Sequence, residues 1–236
     1  MYPGKRRKST SSSYYRYGLI RYRNLGQLFP TAARITLPQN FVEIAQVNTI
    51  GGGTPGGYWY QKGYSMNSLR TPEGTTVHQP RGFDQWMTIY NLYYVVSATV
   101  KITLVNSDPT NDAAGIVILY QSRLGTAEIL GTGTAFYDNL ERARDWDLQA
   151  RWKHFNSMGG GSTRLTMLTN KFYTRRGYPM EELSTFEGSA TVNPTFNREY
   201  HVFIRCPQAA STKTMYYEVK VSYDAIFYDP KNITGS

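Results

Sequence analysis

The sequence predicts an all-β protein, a single eight-stranded antiparallel jelly-roll β-sandwich preceded by a basic N-terminal arm. The composition is one reason, because 20 Tyr and 21 Gly with few charged residues (18%) are typical of strands and turns. A second is that several segments alternate apolar and polar residues with the period of two of a half-buried sheet. A third is that strands do not alternate with long helices, which disfavours a parallel α/β fold. We therefore expect an arm over residues 1–34 and one β domain over residues 35–236.

The arm is defined by its charge. It has no Asp or Glu and carries +8 of the formal net charge of +9. Its basic residues are Lys5, Arg6, Arg7, Lys8, Arg16, Arg21, Arg23 and Arg34. Residues 9–13 form a polar run that offers nothing apolar to bury. We expect this segment to be disordered unless a partner orders it.

Nucleic acid is the partner that the arm favours. Each Lys or Arg that neutralises a phosphate releases a counterion, and tyrosine rings can stack on unpaired bases. The tyrosines assigned to this role are Tyr14, Tyr15, Tyr17 and Tyr22. The cluster Lys5-Arg6-Arg7-Lys8 is also a candidate nuclear-import signal, and the two roles are compatible. A membrane-binding arm is the weaker alternative, since no apolar helical face accompanies the charge.

The β domain is predicted from eight extended segments. The clearest alternates Val96, Ala98, Val100, Ile102 and Leu104 with Ser97, Thr99, Lys101 and Thr103. The predicted strands cover 35–50, 58–69, 94–106, 115–122, 147–155, 163–173, 199–206 and 214–228.

Other segments are predicted to connect these strands. Asp84 is placed to cap a short helix whose apolar face is Trp86, Met87, Ile89 and Tyr90. Residues 107–112 read as a turn, residues 125–146 as a long connection with a helical turn over 138–145, and residues 179–194 as a loop.

No motif indicates catalysis or a cofactor. The glycine cluster at 51–57 lacks the Lys and Ser or Thr of a P-loop. Glu141, Asp145 and Asp147 are interspersed with arginines and are better explained by salt bridges than by paired catalytic carboxylates. We therefore predict that the protein is not an enzyme and has no catalytic residues and no cofactor.

A metal site is not expected either. His78, His154 and His201 have no ligand spacing with each other or with Cys206. Asp108 and Asp112 could hold calcium, but a turn is the more common role of such residues.

The single cysteine excludes an intramolecular disulfide and fits a reducing compartment. No segment has the length and apolarity of a signal peptide or membrane span. We expect retention on the cytosolic side and no membrane insertion. Asn232-Ile233-Thr234 matches a glycosylation acceptor, which we discount for the same reason.

A compact β domain with a cationic arm suits a shell of many copies whose arms concentrate on an enclosed polyanion. In residues 79–100, QPRGFDQWMTIYNLYYVVSATV, the chain resembles the capsid proteins of circular Rep-encoding single-stranded DNA (CRESS-DNA) viruses, the circovirus-like group. The resemblance implies a jelly roll whose sixty copies form a T=1 icosahedral shell around circular single-stranded DNA, with the arm inside. It also implies a location in the virion, assembly in the host nucleus, contact with the nuclear import machinery, and a host-cell receptor whose identity is open.

This arm is shorter than the Arg-rich runs of circoviruses, so cations of the domain are expected to assist it. The candidates are Lys101, Arg151, Lys153 and Arg164, whose facing the sequence leaves undecided. RNA is an alternative cargo, since nothing here reads the 2′-hydroxyl. The alternative functions are a non-viral β-sandwich module that binds nucleic acid or glycan and, less favoured because the histidines are scattered, a cupin-type enzyme.

Overall fold

The computed structural model describes residues 30–47, 58–73, 78–106, 115–121, 150–155, 164–174, 184–206 and 213–231. These ranges contain nine strands and one helix. In chain order they are β1 (Ala32–Val47), β2 (Tyr58–Ser65), α1 (Phe83–Ile89), β3 (Tyr90–Asn106), β4 (Gly115–Gln121), β5 (Arg151–Phe155), β6 (Arg164–Tyr173), β7 (Glu187–Ser189), β8 (Glu199–Cys206) and β9 (Lys213–Pro230).

The strands form two antiparallel sheets. Sheet 1 has the order β1-β9-β3-β6, with β7 also paired to β3, and sheet 2 has the order β2-β8-β4-β5. Of the eight steps between successive described strands, six cross between the sheets: β1 to β2, β2 to β3, β3 to β4, β5 to β6, β7 to β8 and β8 to β9. Strands that are neighbours in sequence are therefore mostly in opposite sheets, which is the winding of a jelly roll. The predicted all-β fold is confirmed.

The core between the sheets is rich in aromatic rings. Phe41 of β1 contacts Tyr64 of β2 with ring centroids 5.0 Å apart. Tyr64 stacks on Tyr200 of β8 at 5.3 Å, and Tyr200 stacks on Phe172 of β6 at 5.9 Å. All four rings are buried, the outer two (Phe41 and Phe172) from sheet 1 and the inner two (Tyr64 and Tyr200) from sheet 2. Aromatic pairs of this kind add about 0.5–1.5 kcal/mol each beyond the area they bury. This row of rings therefore packs sheet 1 against sheet 2.

Several strand bounds differ from the predicted ones. β1 begins at Ala32, inside the stretch predicted as arm, because Ala33 and Ile35 pack against the core. β2 ends at Ser65, β3 begins already at Tyr90, and the described part of the fifth strand begins at Arg151. Strand ends are set by pairing partners, which alternation within one segment does not report.

β7 was missed, because it lies in the stretch predicted as a loop. It has three residues, Glu187–Ser189, and no apolar alternation that could have indicated a strand. Its middle residue, Gly188, packs against the ring of Tyr93 in β3, where an added Cβ would lie 2.4 Å from the phenol carbon and oxygen. A close packing contact of this kind leaves no periodic signal in the sequence.

The predicted helix is present, but its cap is not the predicted one. The N-cap residue is Gly82, with φ of 91°, and no side chain caps the helix. Asp84 lies in the first turn, where its charge still suits the helix dipole. Glycine replaces a side-chain cap here because the chain enters α1 in the left-handed region. The predicted apolar face is confirmed, since Met87 and Tyr90 are buried and Trp86 and Ile89 pack against the core.

The remaining local predictions fall outside the described residues. These are the glycine cluster at 51–57, the turn at 107–112, the connection at 125–146 with its carboxylates, and the glycosylation acceptor pattern at 232–234.

Candidate nucleic-acid interface

Of the predicted nucleic-acid-binding residues, the structure describes Arg34. The others, which include the candidate import signal, lie in residues 1–29, outside the described ranges. These are Lys5, Arg6, Arg7, Lys8, Arg16, Arg21, Arg23, Tyr14, Tyr15, Tyr17 and Tyr22. Their role in binding stays a prediction.

Arg34 lies on β1 and makes a two-pronged ion pair with Asp224 of β9. Its Nε donates to Oδ1 at 2.8 Å, and its Nη2 donates to Oδ2 at 2.5 Å. These hydrogen bonds lower the pKa of the Asp224 carboxyl below its usual value. Because Asp224 already offsets the charge of Arg34, this residue offers less to a phosphate than an unpaired cation would.

The side of sheet 1 that faces away from the core carries further cations; we call it the outer face of sheet 1. Lys101 is exposed between the buried residues Val100 and Ile102. Lys220 and Lys171 occupy equivalent exposed positions on β9 and β6. The alternation of buried and exposed positions therefore places three lysines of three adjacent strands on one surface.

The strand register brings these lysines close together. Lys101 lies directly opposite Lys220 in the β3–β9 pair, and opposite Thr169 in the β3–β6 pair. Lys171 follows Thr169 by two residues, so it lies on the same face one step along. Like charges that lie opposite each other on neighbouring strands repel.

Two of these lysines have partners on the same face. Lys220 Nζ is 2.8 Å from Glu218 Oε1, and Lys171 Nζ lies 5.3 Å from the centre of the Tyr173 ring. No ion pair of Lys101 is found among the described residues. The face thus keeps an excess of positive charge.

The other candidate cations are placed differently. Arg151 and Lys153 are exposed on β5, at the free edge of sheet 2. They lie opposite Leu119 and Val117, whose side chains enter the core, so they belong to the inward side of that sheet. Arg164 pairs with Asn106 through the backbone, and its side chain lies outside the described part. Of the four candidates, the structure places Lys101 on the outer face of sheet 1.

On the corresponding outward side of sheet 2 an apolar cluster is buried, while Trp152 at the edge of the same side is 43% exposed. Ile118 and Phe203 have no exposed surface and Tyr120 is 4% exposed, with Ile116 and Ala150 packed against them. This apolar cluster is separate from the main core between the sheets. The two sheets therefore present different outward surfaces. That of sheet 1 is open and carries the lysines beside exposed apolar side chains such as Val42, Ile44 and Met167, and that of sheet 2 holds a buried apolar cluster.

A polar cluster around His201 lies next to this apolar cluster on the outward side of sheet 2. His201 is 1% exposed, stacks on Tyr120 with centroids 5.2 Å apart, and shares a 3.3 Å hydrogen bond with Gln61 through Nδ1. Burial lowers the pKa of His201 to about 4, so the imidazole is neutral at pH 7. The 3.5 Å contact between His201 Nε2 and Glu199 Oε2 is then not an ion pair. Burial shifts the pKa of Glu199 in the other direction, above its usual value.

No metal centre is evident in the described ranges. They contain no group of three or more His, Cys, Asp or Glu side chains positioned to hold an ion. Within the same ranges, α1 has seven residues and no helix is long and apolar enough to cross a membrane.

Lys171 and Lys220 were not among the cations that the sequence analysis named, although they share the outer face of sheet 1 with Lys101. The signal was present in both strands. In β9, Lys220 lies between the apolar residues Val219 and Val221. In β6, Lys171 is two and four residues away from Thr169 and Met167, so the three side chains lie on one face. What the sequence lacks is the order of the strands, which brings β6, β3 and β9 side by side.

No protein-family model matches the chain, and no curated protein matches it in sequence. Its fold is similar to that of solved structures of viral capsids. A chain of mud crab tombus-like virus has a TM-score of 0.53 at 15% identity, covering 90% of this chain and 96% of that one. A chain of the Macrobrachium rosenbergii nodavirus semi-empty virus-like particle has a TM-score of 0.53 at 14% identity, with coverage of 92% and 93%.

A third similar structure is a deletion mutant of the Penaeus vannamei nodavirus capsid protein, solved as a T=1 subviral particle. Its TM-score is 0.51 at 12% identity, and the match covers 84% of this chain and 98% of that one. At such identities the likeness establishes a shared fold. The fold of this chain is thus the jelly roll that these capsid proteins also have.

Proposed function

We propose that this protein is a viral capsid protein that assembles into a closed shell and packages nucleic acid through its basic arm. The observation that carries the proposal is a fold match spanning at least nine tenths of both chains for two structures from virus particles. A jelly roll by itself hosts many functions, so the arm is the second support. Its eight cations and no acid give the chain a polyanion-binding segment at one end of the shell-forming domain.

Self-association is supported by the surface of the described domain. Val42 and Ile44 of the edge strand β1, Met167 of β6 and Trp152 of the edge strand β5 are large apolar side chains that are at least two fifths exposed. Exposed apolar residues on sheet edges suit burial against neighbouring copies. The virion is the corresponding location of the protein.

A T=1 shell of sixty copies is the proposed size. The Penaeus vannamei deletion mutant that forms a T=1 particle is matched over 98% of its length, so a chain of this extent with this fold suits such a particle. Closed symmetric assembly also requires no second type of subunit.

The proposed cargo is circular single-stranded DNA, and the proposed relationship is to the circovirus-like CRESS-DNA viruses. Support comes from the resemblance of residues 79–100, part of which forms α1 and the first eleven residues of β3. Import into the host nucleus through Lys5-Arg6-Arg7-Lys8 and recognition by a host-cell receptor belong to the same proposal. Digestion of extracted cargo with DNase or RNase separates DNA from the RNA alternative.

The packaging role of the arm is tested with the double charge reversal Arg6→Glu/Arg7→Glu. It changes the arm from +8 to +4, so we expect particles to form with about half the nucleic acid per subunit. Arg151→Glu/Lys153→Glu is the matched control, because it makes the same charge change at the exposed edge of sheet 2. The ratio of absorbance at 260 and 280 nm of purified particles gives the content. Equal loss in both variants, or no loss in either, contradicts a specific role of the arm.

A further inference from the structure

We propose that the outer face of sheet 1 is a second nucleic-acid-binding surface, on which Lys101, Lys171 and Lys220 contact the phosphates of a single strand. The inference rests on the proposed function, since it identifies the wall of the shell that meets the cargo. It concerns residues of the folded domain and is independent of the arm sequence.

Electrostatic repulsion within the face is the starting point. Lys101 and Lys220 lie directly opposite each other on β3 and β9, and Lys171 is one step away on β6. Opposed like charges cost stability in an isolated sheet. A phosphate between them would convert that repulsion into two attractions and release counterions. The arrangement therefore favours a bound polyanion.

The acidic residues of the face do not cancel this charge. Near the lysines, Glu218 is paired with Lys220, and Asp224 is paired with Arg34. Glu187 lies on the same face farther along β3, opposite Tyr94, so the four described cations of the face still outnumber its three described acids. Lys101 and Lys171 keep their charge without a carboxylate partner of their own in the described ranges, although Lys171 does contribute to the lowered pKa of Asp224. The surplus on the face is thus carried by these two lysines.

The neighbours of the lysines suit contact with a nucleic-acid backbone and with bases. Thr99, Thr169 and Ser222 flank the lysines in the register and offer hydroxyl groups, which commonly bind phosphate and sugar without sequence preference. Tyr173 and Tyr216 lie on the same face and are 42% and 43% exposed. Exposed aromatic rings among cations are the platform on which unpaired bases stack.

The position of the arm points to the same side of the domain. The arm continues into β1, an edge strand of sheet 1, and Arg34 projects onto the outer face to reach Asp224. In the described part of the chain, the outward side of sheet 2 instead holds a buried apolar cluster of Ile118, Tyr120 and Phe203. Cargo gathered by the arm would therefore meet sheet 1 first.

The test uses the full chain and the double variant Lys101→Gln/Lys171→Gln, with Arg151→Gln/Lys153→Gln as the control of equal charge loss. Binding to a thirty-nucleotide oligo(dT) is measured over a range of salt, with oligo(rU) as the RNA counterpart. Each lost contact to a single strand lowers the salt slope by about 0.7, which corresponds to about fivefold in affinity at 0.1 M salt. We expect about 25-fold weaker binding for the first variant and a much smaller change for the control.

Equal weakening of the two variants would overturn the proposal, as would unchanged binding of both. A footprint on the unaltered protein guards against a folding defect. Acetylation of Lys101, Lys171 and Lys220 should slow when oligo(dT) is bound, while that of Lys153 should not. Absence of this protection also overturns the proposal. Oligonucleotide binding does not require a shell. Failure to form particles would therefore contradict the capsid assignment, while the binding measurement would still test the outer face of sheet 1.

Discussion

His201 is a neutral imidazole enclosed between Tyr120 and Gln61, with almost no exposed surface. Its environment is fixed further by Gly63, where an added Cβ would lie 2.8 Å from the imidazole Cε1. Burial lowers its pKa to about 4, against about 6.5 for the unfolded chain. The unfolded state therefore binds a proton more tightly than the folded state, so acid favours unfolding at this residue.

We predict that His201 makes the domain less stable as the pH falls from about 6.5 to 4, by up to about 3 kcal/mol, with no further loss below that range. The raised pKa of Glu199 acts in the opposite sense, since its folded form takes up a proton more readily. Comparing the protein with His201→Gln isolates the histidine. Urea midpoints measured below the concentration of assembly should depend less on pH in the variant; identical pH profiles would contradict the assignment.

β7 shows how a short strand can depend on one contact. Gly188 faces the ring of Tyr93, and the Tyr93 hydroxyl accepts a 3.2 Å hydrogen bond from the Leu69 backbone N–H. A methyl group at position 188 would displace the phenol and break that bond. The contact thus joins β7, β3 and the segment after β2.

Gly188→Ala is predicted to lower the free energy of unfolding by about 2 kcal/mol through overpacking. Tyr93→Phe removes the hydroxyl and leaves the Leu69 N–H without its acceptor, at about 1–3 kcal/mol. The double variant lacks the phenol oxygen, one of the two atoms closest to the added methyl group, so its loss should be smaller than the sum by about 1 kcal/mol. Denaturant titrations of the three variants provide the cycle. Strict additivity would show that residue 188 does not act through Tyr93.

The strands illustrate what the sequence can and cannot report. Val100 and Ile102 alternate with Lys101 in a pattern that predicts both a strand and an exposed lysine. The same pattern contains no information on which strands become neighbours. For that reason the position of Lys101 opposite Lys220 is evident from the structure and not from the sequence. The same holds for β7, whose three residues have no periodicity. The cap of α1 was mispredicted because Asp84 looks like a cap while Gly82 supplies the turn.

The whole molecule combines a folded β-sandwich with a basic N-terminal segment. The sandwich has a core of stacked rings, a buried apolar cluster on the outward side of sheet 2 and an open outer face of sheet 1 that carries lysines. The basic arm joins the sandwich at the sheet that carries this open face. In the proposed shell, the sandwich forms the wall and the arm and sheet 1 hold the cargo, so neither part needs a catalytic group.

Sedimentation velocity of the purified, nuclease-treated protein, recorded together at 260 and 280 nm, tests the capsid assignment most directly. Sixty copies of a 26.9-kDa chain weigh about 1.6 MDa before cargo is counted. We predict one homogeneous boundary of at least that mass, with excess absorbance at 260 nm from protected nucleic acid. A slow boundary of monomer or dimer in both low and moderate salt would contradict the shell and favour a solitary binding module.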